Sequence, residues 1–226
     1  MKKIITVLSL FTGLISNAQY VKHQKIVVDV SAGYAVSLSL DRNNDKTNFN
    51  VDNMHGLTID ASAFYRLGFN SMHMVGLKTT YIKGTSSSDI FGNFGEFGEY
   101  ESNQVQKKYS TFFIGPSYRM DLTSFTGKFS SSLSITPGFS QIVGDLTSTK
   151  GEATVKATGF GIGLSAVNSR RIFESFDWLL RIGFNYSNYS KFKTENSGSQ
   201  MIVNSFDNVS FHVIRGELTT GFSYKF

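Results

Sequence analysis

The chain has 226 residues, no cysteine, two prolines, 21 glycines and a formal net charge of +5. Without cysteine, a disulfide framework and a thiolate metal site are both excluded, and so modest a charge demands no nucleic-acid partner. Hydrophobic residues make up 40% of the chain, yet after residue 18 no apolar run reaches the ~20 residues that a membrane-spanning helix needs.

Residues 1–18, MKKIITVLSLFTGLISNA, begin with Lys2 and Lys3, continue through an apolar stretch and offer small residues at Ser16 and Ala18. This pattern predicts a cleavable signal peptide cut after Ala18, leaving residues 19–226 as one exported domain. Loss of the two lysines leaves 20 basic against 17 acidic residues, a net charge of +3.

From there the apolar period is two. Val28, Val30, Ala32, Tyr34, Val36, Leu38 and Leu40 alternate with Asp29, Ser31, Gly33, Ala35, Ser37 and Ser39. The second stripe is Leu57, Ile59, Ala61, Ala63, Tyr65 and Leu67, interleaved with Thr58, Asp60, Ser62, Phe64 and Arg66. Val75 to Tyr81, Phe112 to Met120, Phe129 to Phe139, Phe160 to Ala166, Trp178 to Tyr186 and Ile214 to Phe226 continue it. Eight strands and no helix are predicted for residues 19–226.

Alternation alone fits a soluble sandwich with the apolar stripe inside. Two features point the other way. Gly33, Gly56, Gly68, Gly76, Gly115, Gly138, Gly159, Gly161, Gly163, Gly183 and Gly221 all fall on the polar face, with Gly216 the exception inside a strand. Glycine weakens a strand that merely faces water, so small residues there indicate a crowded interior, as in a closed barrel of about eight strands. The aromatics of the apolar face gather towards strand ends: Trp178, Tyr118, Phe129, Tyr224 and Phe226 at one end, Tyr34, Tyr81, Phe139 and Tyr186 towards the other. Paired aromatic girdles belong to a lipid-facing surface.

Long polar connections at 41–54, 83–108, 142–156 and 188–207 alternate with short ones near 70–73, 121–128 and 168–175. That is the order of an up-and-down outer-membrane barrel, long loops outside and tight turns in the periplasm.

The leader, the eight amphipathic stripes, IGPSYRM at 114–120 and the closing GFSYKF resemble the small bacterial outer-membrane β-barrel family, the OmpA/OmpX-type and PorT-like barrels. The fold this implies is all-β: an eight-stranded antiparallel up-and-down transmembrane β-barrel in the bacterial outer membrane. The resemblance implies that Phe222, Tyr224 and Phe226 form a signal read by the barrel-assembly machinery, with the first strand as partner of the last. A PorT-like role in secretion is also suggested by resemblance alone.

In such a barrel the polar face carries Asp29, Asp60, Asp177 and Glu217 against Arg66, Lys78, Arg119, Arg181, Arg215 and Lys225. Charges in a water-poor lumen must pair. Asp29 is expected near Arg66, and Glu217 near Arg215 and Arg181. The ion pairs are expected to plug the barrel, with an anion-conducting pore as the alternative. Pro116 and Pro137 lack an N–H donor and are expected at bulges or ladder ends.

No catalytic or cofactor chemistry is evident. His55 and His212 fall near the extracellular rim, with Ser210 on the same face as His212; a lipid-modifying Ser/His site is the remote alternative, without a clearly placed acid. No metal-ligand spacing occurs. In the second loop, DIFGNFGEFGEYE places Phe91, Phe94, Phe97 and Tyr100 three residues apart with glycines between, a pattern unsuited to a helix. These aromatics are candidate contacts to a partner or to the barrel mouth. The sequence thus predicts a non-enzymatic monomer embedded in outer-membrane lipid, with an extracellular or periplasmic protein partner. A small pore, or a transporter of small solutes or hydrophobic molecules, is the second reading.

Overall fold

In the computed structural model, residues 25–39, 54–68, 71–89, 104–122, 128–148, 151–197 and 210–226 are described. They form β1 (Ile26–Ser39), β2 (Met54–Arg66), β3 (His73–Asp89), β4 (Gln104–Asp121), β5 (Phe129–Ser148), β6 (Gly151–Phe173), β7 (Phe176–Ser197) and β8 (Phe211–Lys225). Each strand pairs antiparallel with its sequence neighbour, and β8 pairs back onto β1 to close the barrel. Closure leaves the membrane-spanning wall without an edge, so its backbone groups are paired within the protein. The signal peptide and the second-loop aromatics Phe91, Phe94, Phe97 and Tyr100 lie outside the described residues.

The distribution of side chains is inverted relative to a soluble protein. Leu57, Phe160 and Phe184 are 71, 77 and 60% exposed, whereas Asp29 and Asp60 are fully buried. An apolar surface of this extent is stable only against lipid.

Lumen crowding accounts for Gly183, where a Cβ would meet the Glu217 side chain at 2.3 Å, but most of the inward glycines have a sharper cause. A Cβ on Gly33 would lie 2.0 Å from the Leu218 carbonyl oxygen, and one on Gly76 1.9 Å from that of Ala63. The obstacle is the neighbouring strand's backbone: the wall coils so tightly that the inner face has no room for a Cβ at these points. Gly216, the one on the apolar face, meets nothing within 4 Å.

Several expectations change: strand takes up both ends of the 83–108 connection and the first half of the 188–207 one. The 142–156 connection is mostly strand, since β5 runs to Ser148 and β6 starts at Gly151. The 168–175 connection shrinks to a turn at Glu174 and Ser175. Polar strand extensions outside the bilayer lose the apolar stripe, which is why they read as loops. The prolines mark no bulge, but, as expected of residues without a donor, they sit where the β4–β5 ladder ends on either side. Ile114 faces Phe139 and Tyr118 faces Ile135 in one unbroken register, with pairing absent between them. Pro116 and Pro137 therefore stand opposite each other. Leu122 donates to Ser131 across this seam, and alternate β4 residues share that direction, so the Pro116 site is one where both strands should exchange bonds. Two missing donors open the ladder there. On the inner side Ser117 donates to the Ile135 carbonyl at 3.3 Å and bonds Thr136 at 2.8 Å. The true register shifts lie in β6–β7, between Thr158 and Gly159 and between Arg171 and Phe173.

Candidate functional site

The lumen gathers the polar faces of all eight strands, and its contents are layered. At the end carrying the short turns, Val27, Phe64 and Met74 form a small apolar cluster. Near it and above it runs a continuous chain of charges of alternating sign. Arg66 Nη2 lies 3.2 Å from Asp121 Oδ2, and Arg119 bridges Asp121, at 3.4 Å, to Asp29, at 2.9 Å. Arg181 reaches Asp29 at 3.2 Å and Asp60 at 3.8 Å. Lys78 joins Asp60, at 3.8 Å, to Glu217, at 3.2 Å, and Arg215 ends the chain 3.8 Å from Glu217. Lys225 and Asp177 form a separate pair at 2.6 Å.

Hydroxyl groups supply further partners. Ser62 donates to Asp29, Thr80 donates to Asp60, and Ser31 lies between Thr219, at 3.0 Å, and Arg181, at 3.4 Å. The Arg119 guanidinium also sits 5.5 Å from the Phe64 ring centre. Buried ions are tolerated when each has opposite charge and hydrogen bonds around it, and β1, β2, β3, β4, β7 and β8 all contribute to that condition here.

All ten charged residues singled out from sequence therefore face the lumen, but two details differ. Asp29 pairs with Arg119 and Arg181, not with Arg66, because the β1–β2 register places Arg66 beyond the start of β1, where it meets Asp121 and the Ser71 carbonyl. Asp121 itself reads as a turn residue in the sequence, but β4 continues through it with its side chain inward. Its inclusion makes five buried acids against five buried bases among the described residues. The lumen is close to electroneutral, and the electrostatic case for an anion path weakens accordingly.

The opposite end of the lumen is apolar. Ala35, Met54, Ile82, Tyr109, Ile142, Ala157, Tyr189, Phe211 and Val213 form one buried cluster. Tyr189 stacks on Phe211 with ring centres 4.9 Å apart and bonds Ser140 at 2.7 Å. Ion pairs thus fill only part of the barrel. A sequence signal for this cap exists: Ile82, Tyr109 and Ile142 fall on the inward positions of their strands, out of phase with the lipid-facing stripe.

On the outer surface, His212 accepts or donates a 2.6 Å bond with Tyr186, whose ring stacks on it at 5.7 Å. Tyr34 and His55 lie 6.0 Å apart. His55 faces Val36, which faces Gly216, so the register sets His55 and His212 at different levels of β8. Ser210 is exposed just ahead of β8. At the other end His73 bonds and stacks on Tyr118. These Tyr–His pairs occupy the two edges of the apolar belt, where amphipathic rings settle. No group of three metal-ligating side chains occurs among the described residues. Of the terminal aromatics, Phe222 stacks on Phe176 at 5.0 Å, Tyr224 meets Phe226 at 4.6 Å, and the Phe226 amide donates to Ile26 at the seam.

No family model matches the sequence, and no curated protein matches it. Among solved structures, Neisserial surface protein A is similar over 89% of this chain and 97% of its own, with 18% identity and a TM-score of 0.52. More distant are Ail, the attachment invasion locus protein of Yersinia pestis (14% identity, 88% and 99% covered, TM-score 0.47), and the Escherichia coli outer membrane protease OmpT (11%, 92% and 99%, 0.45). At these identities the likeness is one of fold, and fold assigns no activity. With apolar side chains outside, paired charges within and this architecture, the chain is an eight-stranded membrane-spanning barrel with the fold of the small bacterial outer-membrane proteins.

Proposed function

We propose that the protein is a non-enzymatic, monomeric outer-membrane scaffold whose closed barrel holds partner-binding segments at the membrane surface. The observation that supports this reading is the filling of the lumen: an alternating nine-residue ion chain lies beneath an apolar cap, inside a wall of eight strands that encloses a space only about wide enough for side chains. The aromatic loop segment Phe91, Phe94, Phe97 and Tyr100 is then a contact surface for an extracellular partner, and Phe222, Tyr224 and Phe226 present β8 to the barrel-assembly machinery. A secretion-associated role of the PorT-like kind is one form of this reading. Planar bilayer recording on the refolded protein tests it. No steady conductance is expected in wild type; steady conductance lost in Arg181→Ala or Arg215→Ala would establish a pore instead.

A second reading, lateral passage of a hydrophobic molecule through the wall, is favoured by the interrupted β4–β5 ladder at Pro116 and Pro137. Cross-linking Ser117→Cys to Thr136→Cys across this seam should leave function unchanged under the first reading and abolish it under the second.

A further inference from the structure

Above the apolar belt, at the end away from the short turns, the charged side chains described on the outer face of β3, β4, β6 and β7 are lysines. Lys83, Lys108, Lys191 and Lys193 are exposed, and among the described residues none of them forms an ion pair. Each follows the aromatic belt of its own strand. Lys83 is the next outward position after Tyr81, and Lys108 comes two outward positions beyond Phe112. On β7 the outward Tyr186 precedes both lysines.

The pairing gathers them into two groups. Lys83 faces Ser110, two residues from Lys108, so this pair is diagonal across β3 and β4, a spacing of roughly 7–8 Å. Lys193 directly faces Lys156, and Lys191 faces Thr158, across β6 and β7. The outward acid with a described side chain here is Asp145, which faces Lys108 and accepts a 2.9 Å bond from Thr154.

A local irregularity decides the second group. Up to Asn188 the outward residues of β7 are even-numbered, while Asp177, Arg181, Asn185 and Tyr189 point inward. Pairing then jumps from Gly159 opposite Tyr189 to Thr158 opposite Lys191, so Ser190 is the extra residue of a bulge. A bulge re-aims the side chains that follow it. Without it, Lys191 and Lys193 would project into the lumen at the level of the apolar cap. With it, both face outward just beyond the aromatic edge.

We infer that these two lysine groups bind the phosphates of phosphorylated outer-leaflet glycolipid, the lipid A class, and that the β7 bulge builds the second group. Lysine is a point-charge phosphate donor, and basic residues at this height above an aromatic girdle meet a lipid headgroup rather than a soluble solute.

The test uses the full chain refolded in zwitterionic micelles and titrated with bis-phosphorylated lipid A and with the same lipid stripped of phosphate. Wild type should prefer the phosphorylated form by about tenfold or more, and the preference should collapse in about 1 M salt. Lys191→Gln with Lys193→Gln, and separately Lys83→Gln with Lys108→Gln, should each cut it severalfold while the unheated gel mobility of the folded barrel is kept. Equal binding of the two lipids by wild type overturns the inference, as does a salt-insensitive preference or one unchanged in both double variants. Equal competition by phosphatidylglycerol vesicles also overturns it, since any anionic surface would then serve.

Discussion

Asp29 on β1 and Arg181 on β7 are 152 residues apart in sequence, yet Arg181 Nη2 lies 3.2 Å from Asp29 Oδ2 in the centre of the barrel. The same oxygen takes Arg119 at 2.9 Å, so one carboxylate is shared by two buried guanidinium groups, each of which has a second acid, Asp121 or Asp60. Asp29→Ala should therefore cost about 3–5 kcal/mol, the penalty of stranding buried charge, with a smaller loss in Asp29→Asn. Urea unfolding from lipid vesicles, followed by the fluorescence of Trp178, measures both. A loss within experimental error for Asp29→Ala would mean that the chain of ions does not hold the barrel.

Two glycines on neighbouring strands give opposite expectations. At Gly33 a methyl group would sit 2.0 Å from the Leu218 carbonyl oxygen, and at Gly216 it would touch nothing. Gly33→Ala should destabilise by at least about 1–3 kcal/mol through forced backbone movement at the β1–β8 seam. Gly216→Ala should be neutral or stabilising by up to about 1 kcal/mol, since a strand glycine carries an entropic cost. Heat-modifiability on gels ranks the pair.

Replacing both prolines should mend the wall. Pro116→Ala with Pro137→Ala restores two donors at a pair placed to exchange both bonds, each worth about 0.5–1.5 kcal/mol net, against a loss of about 0.4–1 kcal/mol per proline from the freer unfolded chain. Slower amide exchange along β4 and β5 than in wild type is the expected result. Exchange that stays unchanged would show that the seam is held open by strand geometry and not by the missing donors.

Ile142 is 1% exposed within the apolar cap. Ile142→Ala should cost about 2–5 kcal/mol by cavity formation, and Ile142→Asp more, because an unpaired carboxylate would be buried among Tyr109, Ala157 and Tyr189. Had 142–156 been a solvated loop, both variants would be silent in the same unfolding assay.

Strand number, the lipid-facing side of each strand and the inward placement of the charges were legible in the sequence. The period of two is a local property of each strand, and any stripe of leucine, isoleucine and phenylalanine must leave water whichever strands flank it. Which ions meet was not legible. Asp29 finds Arg119 and Arg181 rather than Arg66 because register and closure set partners across the lumen, and those are fixed only when all eight strands are in place. The same holds for the opposed prolines, for the backbone contacts that exclude a Cβ at Gly33, and for the outward turn of Lys191 and Lys193. The alternation of residues determined that this chain would wrap its polar face inside a lipid-facing wall; only the closed barrel, by imposing curvature and shear on that wall, decided which side chains share its interior.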